Sequence, residues 1–167
     1  MIKLDKLDII SNNHILINPF KDGWDNISTT NCYAYALGLD INYEDLSISG
    51  FEPGFTANTC LPSCFNGSDL IDNVVKDLDN LKIDFRHVND YYKLNKGEWR
   101  IAIFGGIRNS FNSFDDYHFM RQTIDGVWVH KNGYYGKPMK VQKNNFESYF
   151  ENDVLYNHLI TLCLRKK

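Results

Sequence analysis

The stretch DYHFMRQTIDGVWVHKN, residues 116–132, constrains the fold more than any other part of the chain. Apolar and polar side chains alternate on both sides of Ile124-Asp125-Gly126, the pattern of two strands joined by a tight turn. Turn length decides which side chains share a face. A two-residue Asp125-Gly126 turn would pair Ile124 with Val127 and send His118 and His130 to opposite faces. A three-residue loop, with Gly126 left-handed, pairs Thr123 with Val127 instead. His130 then lies opposite Met120, with His118 diagonal to it on the same face and Gln122 and Trp128 beside them. Glycine in the third loop position favours the longer loop.

Two further strands are expected at WRIAIFGGI (99–107) and HLITLCL (158–164), so the second half of the chain reads as a mostly antiparallel sheet. Gly105-Gly106 has no Lys-Ser/Thr after it and reads as a bend or bulge in that sheet rather than a phosphate loop. The first half differs. Residues 32–38, CYAYALG, have helical character, with Thr29 or Thr30 available as N-cap and Gly38 placed to end the run. A second helix is expected over LIDNVVKDLDNL (70–81), capped by Ser68 or Asp69, with Leu70, Val74, Leu78 and Leu81 on one face. Between them GFEPGFTANTCLPSCFNGSD (50–69) is a long turn-rich loop of the kind that forms functional surfaces. IISNNHILINPF (9–20) reads as a short strand and a loop. Helices first and sheet later is an α+β pattern, and 167 residues make one domain, 1–167.

Composition narrows the function. Hydrophobic residues at 43% and aromatics at 14% suit a packed core rather than disorder. Net charge is −3, the charges are interspersed, and the only basic run is the terminal LRKK, so no nucleic-acid partner is expected. No apolar run is long enough to span a bilayer, and Asp5 and Asp8 interrupt the place where a signal peptide would carry its apolar core. Neither membrane association nor export by that route is expected. Four cysteines do not make a disulfide scaffold in a chain of this size, which favours the cytoplasm, with delivery by a dedicated route left open. Cys60 and Cys64 lack a second zinc-type ligand pair and read as loop cysteines packed against the following helix.

Cys32 is different, because it opens a helix. Unpaired N–H groups and the positive end of the macrodipole favour its thiolate, the form that attacks carbonyls. Such a nucleophile requires a base within hydrogen-bond reach and a third group that orients the base. The hairpin supplies two histidines on one face.

The order NCYAYAL, a Pro-Gly loop, an amphipathic helix and then DYHFMRQTIDGVWVHKNG resembles the papain-like cysteine peptidases, closest to the NlpC-like amidases and endopeptidases with their circularly permuted and amidase-like relatives. The YHF-x-RQ…DG-x-W-x-HK-x-G block also resembles small bacterial and phage proteins. The resemblance covers about residues 24–135. It implies an α+β papain-like fold with an N-terminal helical part packed on a mostly antiparallel sheet. It implies Cys32 as nucleophile, His118 as base and His130 as the third polar residue. The oxyanion side chain falls on Asn26, with Asn31 and Tyr33 as rivals. Trp128, Tyr33 and Gln122 are candidates for substrate contact. The implied activity is hydrolysis of an amide bond in a peptide, isopeptide or peptidoglycan-like substrate through a thioester, without metal or organic cofactor. The same intermediate would serve an acyltransferase, a deamidase or a transglutaminase, and a catalytically idle binding domain is the alternative of a different class. Oligomeric state is left open.

Overall fold

In a computed structural model, residues 31–39, 51–89, 92–109, 112–122, 126–133, 136–141 and 147–167 are described. Within them, seven strands form one antiparallel sheet: β1 (Ile83–His87), β2 (Glu98–Ile107), β3 (Asp116–Gln122), β4 (Trp128–Lys131), β5 (Pro138–Lys140), β6 (Ser148–Glu151) and β7 (Val154–Lys166). The order is β1-β7-β2-β3-β4-β5, with β6 pairing the start of β7. Two helices accompany it, α1 (Cys32–Leu37) and α2 (Gly67–Asn80). No helix among the described residues is long and apolar enough to cross a membrane.

This corrects the expected α+β, papain-like arrangement with a helical N-terminal part. The protein is mainly an antiparallel sheet carrying two short helices. Three strands, β1, β5 and β6, are edge or hairpin segments of five, three and four residues, too short for periodicity to announce them. Strand formation there comes from pairing with β7 and β4, a tertiary effect. The stretch 9–20 read as strand and loop lies outside the described residues.

Each face of the sheet covers a separate apolar cluster. Ile101, Ile103, Phe119, Leu162 and Leu164 face α1 and α2 and meet Tyr33, Leu37, Leu70, Val74 and Leu78. Ala102, Phe104, Met120, Trp128, Val154 and Tyr156 form the other cluster. Strand β2, buried along nearly its whole length, is the spine of both. The two neighbouring glycines of β2 take close contacts: a Cβ on Gly105 would stand 2.6 Å from the Phe114 ring, and one on Gly106 2.7 Å from Tyr156. The irregularity of this region is a bulge between β2 and β7 at Ile103/Phe104, which opposes His158 to Phe104 and skips Leu159.

The β3–β4 hairpin has the register of the three-residue loop: Met120 opposes His130, Gln122 opposes Trp128, and Gly126 has φ +83°. A second hairpin joins β6 to β7 through Asn152-Asp153, both at positive φ (48° and 62°), as a type I′ turn requires.

Local chemistry fixes both helix starts. The cap of α1 is Asn31 rather than Thr29 or Thr30, which lie outside the described residues. Its side-chain oxygen accepts from the Ala34 N–H at 2.9 Å, and Gly38 closes the helix at φ 76°. Asn66, not Ser68 or Asp69, caps α2, with Asp69 returning the bond as the second half of a capping box. Asp77 of α2, fully buried, binds the helices and the 51–59 loop together. Its carboxylate accepts from the Gly54 and Thr56 N–H groups (2.6 and 2.8 Å), the Thr56 hydroxyl (2.5 Å) and the Tyr33 hydroxyl (2.9 Å). Asn31 then donates to the Phe51 carbonyl at 2.6 Å, so the start of α1 is held from the same loop.

Candidate active site

Cys32 is the first residue of α1, as the sequence implies, and it is buried. The helix packs on β3 and β4. Pairing between these two strands begins only at Met120 and His130, so the start of β3 lies beyond the paired segment, and the sulfur sits against it. The peptide N–H groups of Phe119 and Tyr33 are directed at that sulfur. Residue 119 belongs to the helix-facing cluster, so by alternation His118 points to the other face, among Tyr149 and Tyr156. Cys32 and His118 nonetheless line one cavity of about 270 Å³, at the end of the sheet. Among the described residues no hydrogen bond joins the thiol to the imidazole.

His118 Nε2 lies 2.8 Å from His130 Nδ1, with the rings nearly perpendicular at 87°. This contact follows directly from the hairpin register. Glu151, the last residue of β6, adds a carboxylate: one of its oxygens and one ring nitrogen of each histidine all lie within 4.8 Å of one another. Asn132 donates to Glu151 Oε1 and fixes that carboxylate. On the cavity wall Asp116 accepts from the Tyr156 hydroxyl (3.0 Å) and pairs with Arg108 (3.1 Å).

Electrostatics oppose the thiolate that the helix-start position favours. Burial pushes the Cys32 thiol up to about 12, and the Phe119 N–H only partly offsets it. Burial, then the neighbouring His130, pushes His118 down to about 3. His130 is also lowered by burial, with Glu151 acting in the opposite sense. The resting site therefore holds a neutral thiol and neutral imidazoles. A six-residue helix supplies too little dipole to overcome desolvation of the sulfur. Lys131, buried beside the site, donates from Nζ to the Gly133 carbonyl at 2.9 Å and is lowered by burial to about 8.

The remaining expected residues divide sharply. Asn26 lies outside the described residues. Asn31 reaches the cavity wall, where one N–H of its amide donates to the Phe51 carbonyl and its oxygen caps α1. Tyr33 is core, stacked on Phe51 and bonded to Asp77, and it is neither oxyanion donor nor substrate contact. Trp128 is buried in the second apolar cluster, and Gln122 bridges Arg100 and the Gly126 carbonyl. Neither lines the cavity. Cys60 and Cys64 are exposed free thiols rather than packed against α2. Glu151, Asp116 and Tyr156 were not legible as site residues. Asn152-Asp153, a dipeptide suited to a type I′ turn, was the available signal for the hairpin that delivers Glu151.

Comparisons with protein-family models, with curated proteins and with solved structures gave no match.

Proposed function

We propose that this cavity is the active site of a cysteine hydrolase that cleaves an amide bond through a thioester on Cys32. One observation carries the reading: a cysteine at the first position of a helix lines the same cavity as a histidine whose Nε2 lies 2.8 Å from a second histidine. The reading assigns these three groups as nucleophile, base and orienter.

The reading requires the tautomer in which the proton of the 2.8 Å contact belongs to His118 Nε2, which leaves Nδ1 as the free base. Because thiol and imidazole rest neutral, proton transfer accompanies attack rather than preceding it. As the acyl group enters, the thiol proton passes to His118 Nδ1 and sulfur bonds the carbonyl carbon. The C–N bond then breaks, and His118 returns the proton to the leaving amine. Water, deprotonated by the same nitrogen, cleaves the thioester and regenerates the thiol. Thiol and imidazole share no hydrogen bond at rest, so this step requires the substrate complex to bring the two together. Transfer of the acyl group to another nucleophile would use the same intermediate.

The neutral resting pair favours one second reading, a binding domain that keeps the cleft without turnover. Hydrolysis of a peptide-amide panel separates the two. The hydrolase requires activity that is lost in Cys32→Ala and cut by roughly two to four orders of magnitude in His118→Ala. Activity that persists in Cys32→Ala overturns the covalent mechanism.

A further inference from the structure

We infer that His118, His130 and Glu151 form a binding site for a zinc-class divalent cation, and that occupancy switches Cys32 off. The inference rests on the hydrolase reading for its consequence, but not for the site itself.

Three elements converge. β3 and β4 place His118 and His130 on one face, and the β6–β7 hairpin brings Glu151 to them, so that three ligand atoms lie within 4.8 Å of one another. Both imidazoles are buried and the carboxylate is half-buried, so the set is held by the fold rather than by mobile surface side chains. Asn132 holds the carboxylate from behind, the arrangement in which an outer partner orients a ligand. Two imidazoles and one carboxylate suit zinc, nickel, copper or iron, and not magnesium or calcium, which select oxygen. His118 and Glu151 also line the cavity, giving the ion a route in and a position open to water.

The fit requires a small movement. Zinc with bonds of about 2.0–2.1 Å in tetrahedral geometry sets its ligand atoms roughly 3.3 Å apart. The histidine nitrogens, at 2.8 Å, must part by about half an ångström as the ion replaces the shared proton.

That replacement determines the effect on Cys32. Ligation through His118 Nε2 and His130 Nδ1 needs a lone pair on each. The proton between them therefore moves to the far nitrogen of its own ring, with no net loss of protons. If it belongs to His118, it arrives at Nδ1, the nitrogen that receives the thiol proton during attack. A metal-bound His118 is thus a donor where the reaction needs an acceptor.

The test uses the full chain with Cys60→Ser and Cys64→Ser, which removes the exposed thiols as competing ligands, after treatment with chelator. Cobalt(II) is titrated first, then displaced by zinc, and acylation of Cys32 by an activated acyl ester is followed with and without zinc. The expected result is one cobalt per chain with visible d–d absorption, displaced by zinc, and slower acylation that recovers on adding EDTA. Glu151→Gln should weaken binding by roughly 10- to 100-fold, whereas Cys32→Ala should bind as before. Cobalt binding that is absent, or unchanged in both Glu151→Gln and His130→Ala, overturns the site. Binding that leaves acylation unaffected overturns the switch. Cobalt bound to a chain whose metal-free form is never acylated at Cys32 overturns the hydrolase reading and leaves the site standing.

Discussion

Replacing Asp77 by alanine removes the acceptor shared by four donors: the Gly54 and Thr56 N–H groups and the Thr56 and Tyr33 hydroxyls. All lie in buried or nearly buried surroundings, so water cannot replace the carboxylate without opening the packing around α2. Each stranded donor costs about 1–3 kcal/mol, and relaxation keeps the total below the sum, at about 3–5 kcal/mol. For a chain of this size that corresponds to a Tm lower by roughly 6–20 °C. Tyr33→Phe is the companion variant. It keeps the ring stacked on Phe51 and Phe119 and removes one hydrogen bond, for a loss of about 1–2 kcal/mol. Urea unfolding of both variants gives the two numbers directly. Because Phe51 is the tie for Asn31, Asp77→Ala should also loosen the start of α1 and speed alkylation of Cys32. An Asp77→Ala protein within about 1 kcal/mol of the parent would mean that these four donors do not depend on the carboxylate.

Native thiol labelling should be fast at the two exposed cysteines, Cys60 and Cys64, and slow at buried Cys32 and Cys163, as read by peptide mass spectrometry. With the Cys32 thiol pushed up to about 12, its iodoacetamide labelling in the absence of substrate should rise steadily above pH 8 rather than level off near neutrality. Gly105→Ala should destabilise by about 1–3 kcal/mol in urea, because a Cβ there meets the Phe114 ring at 2.6 Å. Stability should also depend on acid. His118 at about 3 in the fold and near 6.5 when unfolded means that the unfolded chain takes up more protons between those values, so stability is complete above about pH 6.5 and falls as pH drops toward 3. Urea midpoints from pH 7 to 4 should show that slope in metal-free protein, and His118→Gln should flatten it.

The hairpin was legible because a single local quantity, the loop length, sets the side-chain parity of both strands, and Gly126 supplied that quantity. The Leu70, Val74 and Leu78 face of α2 was legible for the same reason: its period is written in the chain. What stayed hidden depends on long-range partners. β1 and β6 become strands by lying against β7, and Glu151 reaches the histidines only through that pairing. Tyr33 looked like a cleft residue because it adjoins Cys32, yet its hydroxyl is bonded to a carboxylate 44 positions away. The thiol was misjudged in a similar way. Its helix-start position is local and readable, whereas the burial that overrides it is a property of the packed sheet.

In the proposed chemistry Cys32 accepts an acyl group with His118 as its base. The most direct measurement is intact-mass and peptide mass spectrometry of metal-free Cys60→Ser/Cys64→Ser protein after a brief exposure to an activated acyl ester. A single acyl adduct on Cys32 is expected, decaying as the thioester hydrolyses, with formation and decay both roughly 100-fold or more slower in His118→Ala. Formation of that adduct at the same rate in His118→Ala, or no adduct on Cys32 while the protein remains folded, would contradict it.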